Sequence, residues 1–286
     1  MKKLFSFILA LTFTLATCVF ADATEIDNTN VSTDSIAVSE GTIISEDGTI
    51  ISPPYFPESV PTEEEISPRT IIGDDDRDKV SPNVRPYSAV MFLYIGQDTT
   101  GNGVANSWGR GTGFMVANKV MLTAAHCIWN LTDGYAESFK VFKNQQGTSL
   151  GSTYYSAVDW YVPSEYLEDE DYRYDWGVVK LNSNIGSSTG YFGYETSGIM
   201  LAKEYTVSGY PGDTGDYNQY AATGRVFFET TKTCSYTTDM MPGQSGAPVF
   251  SSDNIVRAIN TRQFSTHNRG NKITTECHNK IVEFNS

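Results

Sequence analysis

Three stretches of the chain carry side chains that could do nucleophilic chemistry if they met. His126 ends the apolar run VMLTAAHC, Asp175 precedes the run in YDWGVVKL, and Ser245 lies between Gly243-Gln244 and Gly246 in DMMPGQSGAPVF. Alone, each has an ordinary reading: a satisfied core histidine, a turn aspartate among many acids, a turn serine in a glycine-rich loop. Together they have a mechanism. A serine hydroxyl is a poor nucleophile until an imidazole takes its proton, and that imidazole needs a carboxylate on its other nitrogen to fix its tautomer and stabilise its cation. The flanking glycines then acquire a purpose. The N–H groups of Gly243 and Ser245 can face inward as an oxyanion hole only if the loop adopts dihedrals that a β-carbon resists.

The elements that must position these residues read as strands. YSAVMFLYIG, GTGFMVANKVMLTAAHC, DWGVVKL, EYTVSGYPG, GRVFFETTKT and APVFSSDNIVRAIN are short apolar or alternating runs separated by turn clusters. Only the tail from Thr274 to Phe284 has helical spacing, through Ile273, Cys277, Ile281 and Phe284. The expected class is all-β with a C-terminal helix. The chain order His, Asp, Ser differs from the order in α/β-hydrolases, and GQSGA is not a G-x-S-x-G elbow.

Upstream of this region the composition changes twice. Lys2 and Lys3, an apolar run from Leu4 to Phe20, and small residues at Ala21 and Ala23 make the pattern of a secretory signal peptide, residues 1–21 with cleavage extending to 23 as the alternative. The run is shorter than a spanning helix needs, so a secreted, extracellular protein without a membrane anchor is expected. Residues 22–69 hold eleven acids and a single base, Arg69, with isolated Ile and Val and no sustained period. Such a segment is expected to bury little apolar surface and to be an acidic pro-segment ahead of one domain, 70–286, long enough for one sizeable core or two small packed barrels. A net charge of −14 argues against nucleic acid as a partner.

Of the four cysteines, Cys18 leaves with the signal. Three remain, so at most one disulfide forms; Cys234–Cys277 is the expected pair, with Cys127 a buried thiol. Neither C-x-x-C nor H-x-x-x-H occurs, so no metal and no cofactor are expected. GDDDRD lacks the spaced ligands of a calcium loop and reads as a solvated loop with an ion-pair role, and EYLEDEDYR at 165–173 reads as an exposed acidic loop.

TAAHC, YDWGVVKL and GQSGAPV, in this order and spacing, resemble the chymotrypsin-fold serine endopeptidases. With TIIGDDDRDKV at 70–80, GYFGYETS at 190–197 and VSGYPGD at 207–213, the set resembles their secreted bacterial branch, the V8-like and Bacillus-type glutamyl endopeptidases. The resemblance implies two six-stranded antiparallel barrels with the active site in the cleft between them. It makes His126 the general base, Asp175 its orienting carboxylate and Ser245 the nucleophile, acting as a monomer on protein or peptide substrates through an acyl-enzyme. It also implies a zymogen, cut here after Arg69 by a trypsin-like protease to leave Thr70, or alternatively Ile71, as the terminus near the substrate pocket.

Specificity is where the sequence departs from the family. A small hydroxyl residue and a histidine hold the acidic substrate side chain in glutamyl endopeptidases, and Met240 and Asn260 stand at those positions here. Arg262, near the same strand edge, offers another positive charge. Two substrate readings follow: retained acidic preference through Arg262 and the new terminus at Thr70, or a shift to apolar or small side chains against Met240. The rival class is an inactive binding or adhesion module on a protease scaffold, which loss of a triad member would favour; all three are present.

Overall fold

Strand side chains alternate between two faces, so a strand buried on both sides reads as an unbroken apolar run, as VMFL at 90–93 does. The computed structural model describes residues 42–45, 47–55, 75–196, 198–264 and 267–286. All fall in one compact unit, Ala37–Ser286. The signal stretch, the Arg69–Thr70 junction and Thr70 itself lie outside the described residues.

Strands β1 (Val90–Gln97), β2 (Ser107–Met115), β3 (Val120–Thr123), β4 (Ser138–Phe142), β5 (Tyr155–Tyr161) and β6 (Gly177–Leu181) close a barrel in the order β5-β6-β3-β2-β1-β4. Strands β7 (Glu204–Gly209), β8 (Gln219–Glu229), β9 (Thr233–Tyr236), β10 (Pro248–Phe250), β11 (Ile255–Gln263) and β12 (Asn268–Lys272) make the second, whose ring is completed by β11 pairing with β12. All pairings within the two rings are antiparallel. The all-β class, the two six-stranded barrels and the C-terminal helix therefore stand as expected.

The two faces of β1 explain its composition. Met91, Leu93 and Ile95 fill the first barrel with Met115, Met121 and Val179. Val90 and Phe92 point the other way, into a seam shared with Phe114, Leu122 and Val178 from the first barrel and Tyr210, Phe250 and Val256 from the second. Tyr205, Val207, Val226, Tyr236, Val249 and Ala258 fill the second barrel. The helix Thr275–Asn285 begins at Thr274, whose hydroxyl accepts the Cys277 N–H at 3.3 Å, and it lays Cys277, Ile281 and Phe284 into the seam.

Several expectations are corrected. The Cys234–Cys277 disulfide is absent: both thiols are free and buried, Cys234 inside the second barrel and Cys277 in the seam. Burial pushes the Cys234 thiol up to about 12, and its Sγ donates to the Gly270 carbonyl at 3.8 Å. Cys127 is a free, buried thiol, as expected. The stretch at 165–173 is not a loop throughout, because buried Tyr166 anchors a helix at Ser164–Asp169 and a 3-10 turn follows at Tyr172–Tyr174. Part of the acidic segment, within residues 42–45 and 47–55, is also structured: Ile50–Ser52 pairs with Tyr194 and Glu195, and Ile50 is buried.

Phe114 is fully buried in the seam and meets Phe192 edge-on at 5.9 Å. Phe114→Ala is expected to lower unfolding free energy by about 3–5 kcal/mol in chemical denaturation; a loss below about 1 kcal/mol would mean that the seam is not a packed core.

Candidate active site

His126 and Asp175 leave adjacent strands at the same end of the first barrel. Gly177 on β6 pairs with Thr123 on β3, so Asp175 lies two residues before one partner and His126 three residues after the other. Buried Ala125 and Cys127 hold His126 in a 3-10 turn. Asp175 is 1% exposed, and its carboxylate takes the His126 backbone N–H at 3.0 Å and the ring Nδ1 at 2.8 Å. Because a carboxylate only accepts, the Nδ1 carries the proton and the Nε2 lone pair is left for chemistry. Burial is the largest single influence and depresses the imidazole pKa, but the Asp175 charge, together with the neighbouring Cys127 and the hydrogen bonds to both, outweighs it and holds the ring well above its usual value. The His126 side chain keeps 32% of its surface exposed.

Ser245 belongs to the second barrel, in the loop before β10. Its carbonyl accepts from the Thr112 N–H at 2.8 Å and from Cys127 Sγ at 3.7 Å, which sets its backbone beside the residue next to His126. Gly243 has φ +102° and Gly246 φ +87°, in the region that favours glycine. At Gly246 a β-carbon would run into the Thr112 carbonyl and the Thr123 hydroxyl, so the loop can press this close to the first barrel only without one. Among the described residues, no protein acceptor takes the N–H of Gly243 or of Ser245. The structure thus joins His126 directly to Asp175 and ties the Ser245 loop to the first barrel through Thr112 and Cys127.

Thr112, which sequence reasoning passed over, makes that tie. It is fully buried on β2, and its hydroxyl donates to the Gly243 carbonyl at 2.9 Å while accepting the Tyr210 N–H at 3.1 Å. Arg110, two residues earlier, donates to the carbonyls of Pro211 at 3.1 Å and Asp216 at 2.8 Å. The only sequence signal was a small polar residue inside GRGTGF, between glycines that let neighbouring backbone come close.

The expected pocket residues lie as follows. Met240 is buried in the second-barrel core, and its carbonyl accepts from Gln263 Nε2 at 2.6 Å. Asn260 is buried with both arms used, its Oδ1 accepting from Tyr236 at 2.5 Å and its Nδ2 donating to the Gln244 carbonyl at 2.8 Å. Arg262 is exposed near the end of β11. At the root of the serine loop, the Asp76 N–H donates to the Asp239 carboxylate at 3.3 Å; burial, then the Asp239 charge, pushes the Asp76 carboxyl up to about 6. The ion-pair role expected for GDDDRD is filled by Arg77, which grips Asp75 and Asp213, each at 2.7 Å.

A family model described as Trypsin matches residues 97–281. The chain is 29% identical over 238 residues to a glutamyl endopeptidase of Bacillus licheniformis, covering 78% of this chain and 72% of that protein. It is 30% identical over 223 residues to a protein of Bacillus subtilis named extracellular metalloprotease, covering 76% of this chain and 70% of that one. The solved structure of a Glu endopeptidase in complex with MPD matches with a TM-score of 0.63 at 29% identity, over 75% of this chain and 97% of that one. Among the described residues no three His, Cys, Asp or Glu side chains gather as ligands for the metal in the Bacillus subtilis protein's name. The match over most of the chain, carried by two closed barrels with a histidine–aspartate pair facing a glycine-bent serine loop, places the chain in the trypsin family as a chymotrypsin-fold serine endopeptidase.

Proposed function

We infer that the chain is a secreted endopeptidase, made as a precursor, that cuts peptide bonds through an acyl-enzyme on Ser245. The observation that carries this reading is the buried Asp175 carboxylate on His126 Nδ1 at 2.8 Å, beside a serine loop whose Gly243 and Ser245 N–H groups have no acceptor among the described residues. His126 Nε2 takes the Ser245 proton as Oγ attacks the scissile carbonyl carbon, and Asp175 stabilises the imidazolium that results. The oxyanion receives the N–H groups of Gly243 and Ser245. Collapse passes the proton from His126 to the leaving amine; water then enters by the same route and releases the acyl group, restoring Ser245.

On the acyl side of the cut bond we favour an acidic side chain, supported by the likeness to glutamyl endopeptidases and by the exposed Arg262 guanidinium. Such a carboxylate must seat toward Arg262 and away from Asp239. The second reading, a small or apolar side chain, is favoured by the Asn260 amide, which is held by Tyr236 and Gln244, and by the thioether of Met240, which has no donor for a carboxylate. The precursor reading rests on the signal-like start and the acidic run ending at Arg69; cleavage there by a trypsin-like protease exposes Thr70, or Ile71 if the cut falls one residue later.

Ser245→Ala is expected to lower kcat on a peptide substrate by about 10^6 with an unchanged circular dichroism spectrum, and appreciable residual turnover would refute the nucleophile. The base must be neutral to work and its pKa lies above 6.5, so kcat/KM should fall with acid through a midpoint above that value. Asp175→Asn should move this midpoint down and cost about 10^4 in kcat; a limb that stays in place would show that another group titrates. In a peptide library, Arg262→Ala should weaken cleavage after Glu about tenfold or more while sparing Leu. Wild-type preference for small or apolar residues instead establishes the second reading, and preference for basic ones overturns both.

A further inference from the structure

The short strand Gly193–Glu195 pairs on one side, in parallel, with Ile255 and Val256 at the start of β11. Its other edge is occupied by the chain's own acidic segment, in which Ile51 and Ser52 lie antiparallel to Glu195 and Tyr194. Four further bonds extend the contact at its ends. Tyr55 N–H donates to the Tyr191 carbonyl at 2.9 Å and Tyr191 N–H to the Tyr55 carbonyl at 2.6 Å; Thr196 N–H donates to the Ile50 carbonyl and Ile50 N–H to the Thr196 hydroxyl, both at 2.9 Å. The rings of Tyr55 and Tyr191 meet at 5.0 Å, and Ile50, Thr49 and Thr196 are buried.

The receiving edge is shaped for this segment. A β-carbon at Gly193 would strike the Ser52 carbonyl and the Pro54 nitrogen, so the backbones approach this closely only because residue 193 is glycine. The segment folds back on itself, with Ile44 opposite Ile50 and a turn in which the Asp47 carboxylate accepts the Thr49 N–H at 3.0 Å. It docks far from the serine. Ile255 lies five positions along β11 from Asn260, which bonds the Ser245 loop, and five residues of strand span roughly 16 Å.

We propose that Thr42–Tyr55 is a detachable strand clip: it completes the open edge of Gly193–Glu195, stabilises that side of the second barrel without covering the cleft, and leaves once the chain is cut downstream. The proposal rests on the precursor reading for its timing. While the clip is covalently attached, its effective concentration is high, and a contact of a few ladder residues suffices. After the cut it is a small interface that must bear the full entropy of association, so it dissociates and leaves the edge unpaired.

The test is hydrogen exchange on the full-length Ser245→Ala chain, before and after trypsin treatment with the new terminus checked by N-terminal sequencing. Amides of Tyr191 and Thr196 should exchange at least about tenfold faster after the cut, and a synthetic peptide of residues 42–55 at millimolar concentration should slow them again. Ile50→Asp in the uncut chain should produce the same acceleration, so docking is tested even if maturation cuts elsewhere than Arg69. Unchanged exchange in uncut Ile50→Asp overturns the clip. Unchanged exchange after a verified cut overturns its release. If Ile50→Asp in the uncut, catalytically competent chain raises turnover of a small ester substrate, the claim that the clip leaves the cleft open is overturned.

Discussion

The site depends on one buried residue of the first barrel holding a loop of the second. Thr112 donates its N–H to the Ser245 carbonyl and its hydroxyl to the Gly243 carbonyl, while its own carbonyl accepts from Thr123, three residues before His126. In this buried setting no water competes for these groups, and leaving any of them without a partner would cost about 1–3 kcal/mol. The loop is therefore set in register with the strand pair that carries His126 and Asp175. Gly246 is the complement of this constraint, since any β-carbon there would occupy the space of the Thr112 carbonyl and the Thr123 hydroxyl.

The two barrels are not independent supports for that contact. Their shared seam takes the outward face of β1 and β2, the Tyr210 and Phe250 rings and the C-terminal helix. Chemistry split between two closed sheets needs a large apolar seam, because polar contacts alone would let the barrels rock and spoil the alignment of groups that must meet within a hydrogen bond. The same division explains why the Asp175 carboxylate can be almost wholly buried and still compatible with folding. Its charge is shared with the His126 backbone N–H and ring, as a buried charge must be.

The strongest sequence signals were those in which local chemistry and position coincide. TAAHC, YDWGVVKL and GQSGAPV could be found because a residue at the end of an apolar strand, or between glycines, is placed by the strand itself. The β12 strand could not. Asn268-Arg269-Gly270-Asn271-Lys272 has little intrinsic strand preference and is held by β9 on one side and β11 on the other, with Asn271 bonded to Thr261 and the Tyr172 carbonyl. The cysteine pairing failed for a related reason: spacing along the chain says nothing of which core a side chain enters, and Cys234 and Cys277 enter different ones. Asn260 was legible as a departure from the family pattern, yet its engagement by Tyr236 and Gln244 depends on contacts made only in the folded barrel.

The central claim is that Ser245 becomes a nucleophile because the second-barrel loop is pinned against the His126–Asp175 pair. The most direct measurement is peptide mapping by mass spectrometry of the active protein after brief treatment with a serine-directed fluorophosphonate, alongside His126→Ala and Thr112→Val. The account predicts a single adduct on the peptide containing Ser245, no adduct in His126→Ala over the same time, and slowed labelling in Thr112→Val. An adduct on another serine, or labelling of Ser245 at the wild-type rate without His126, would contradict it.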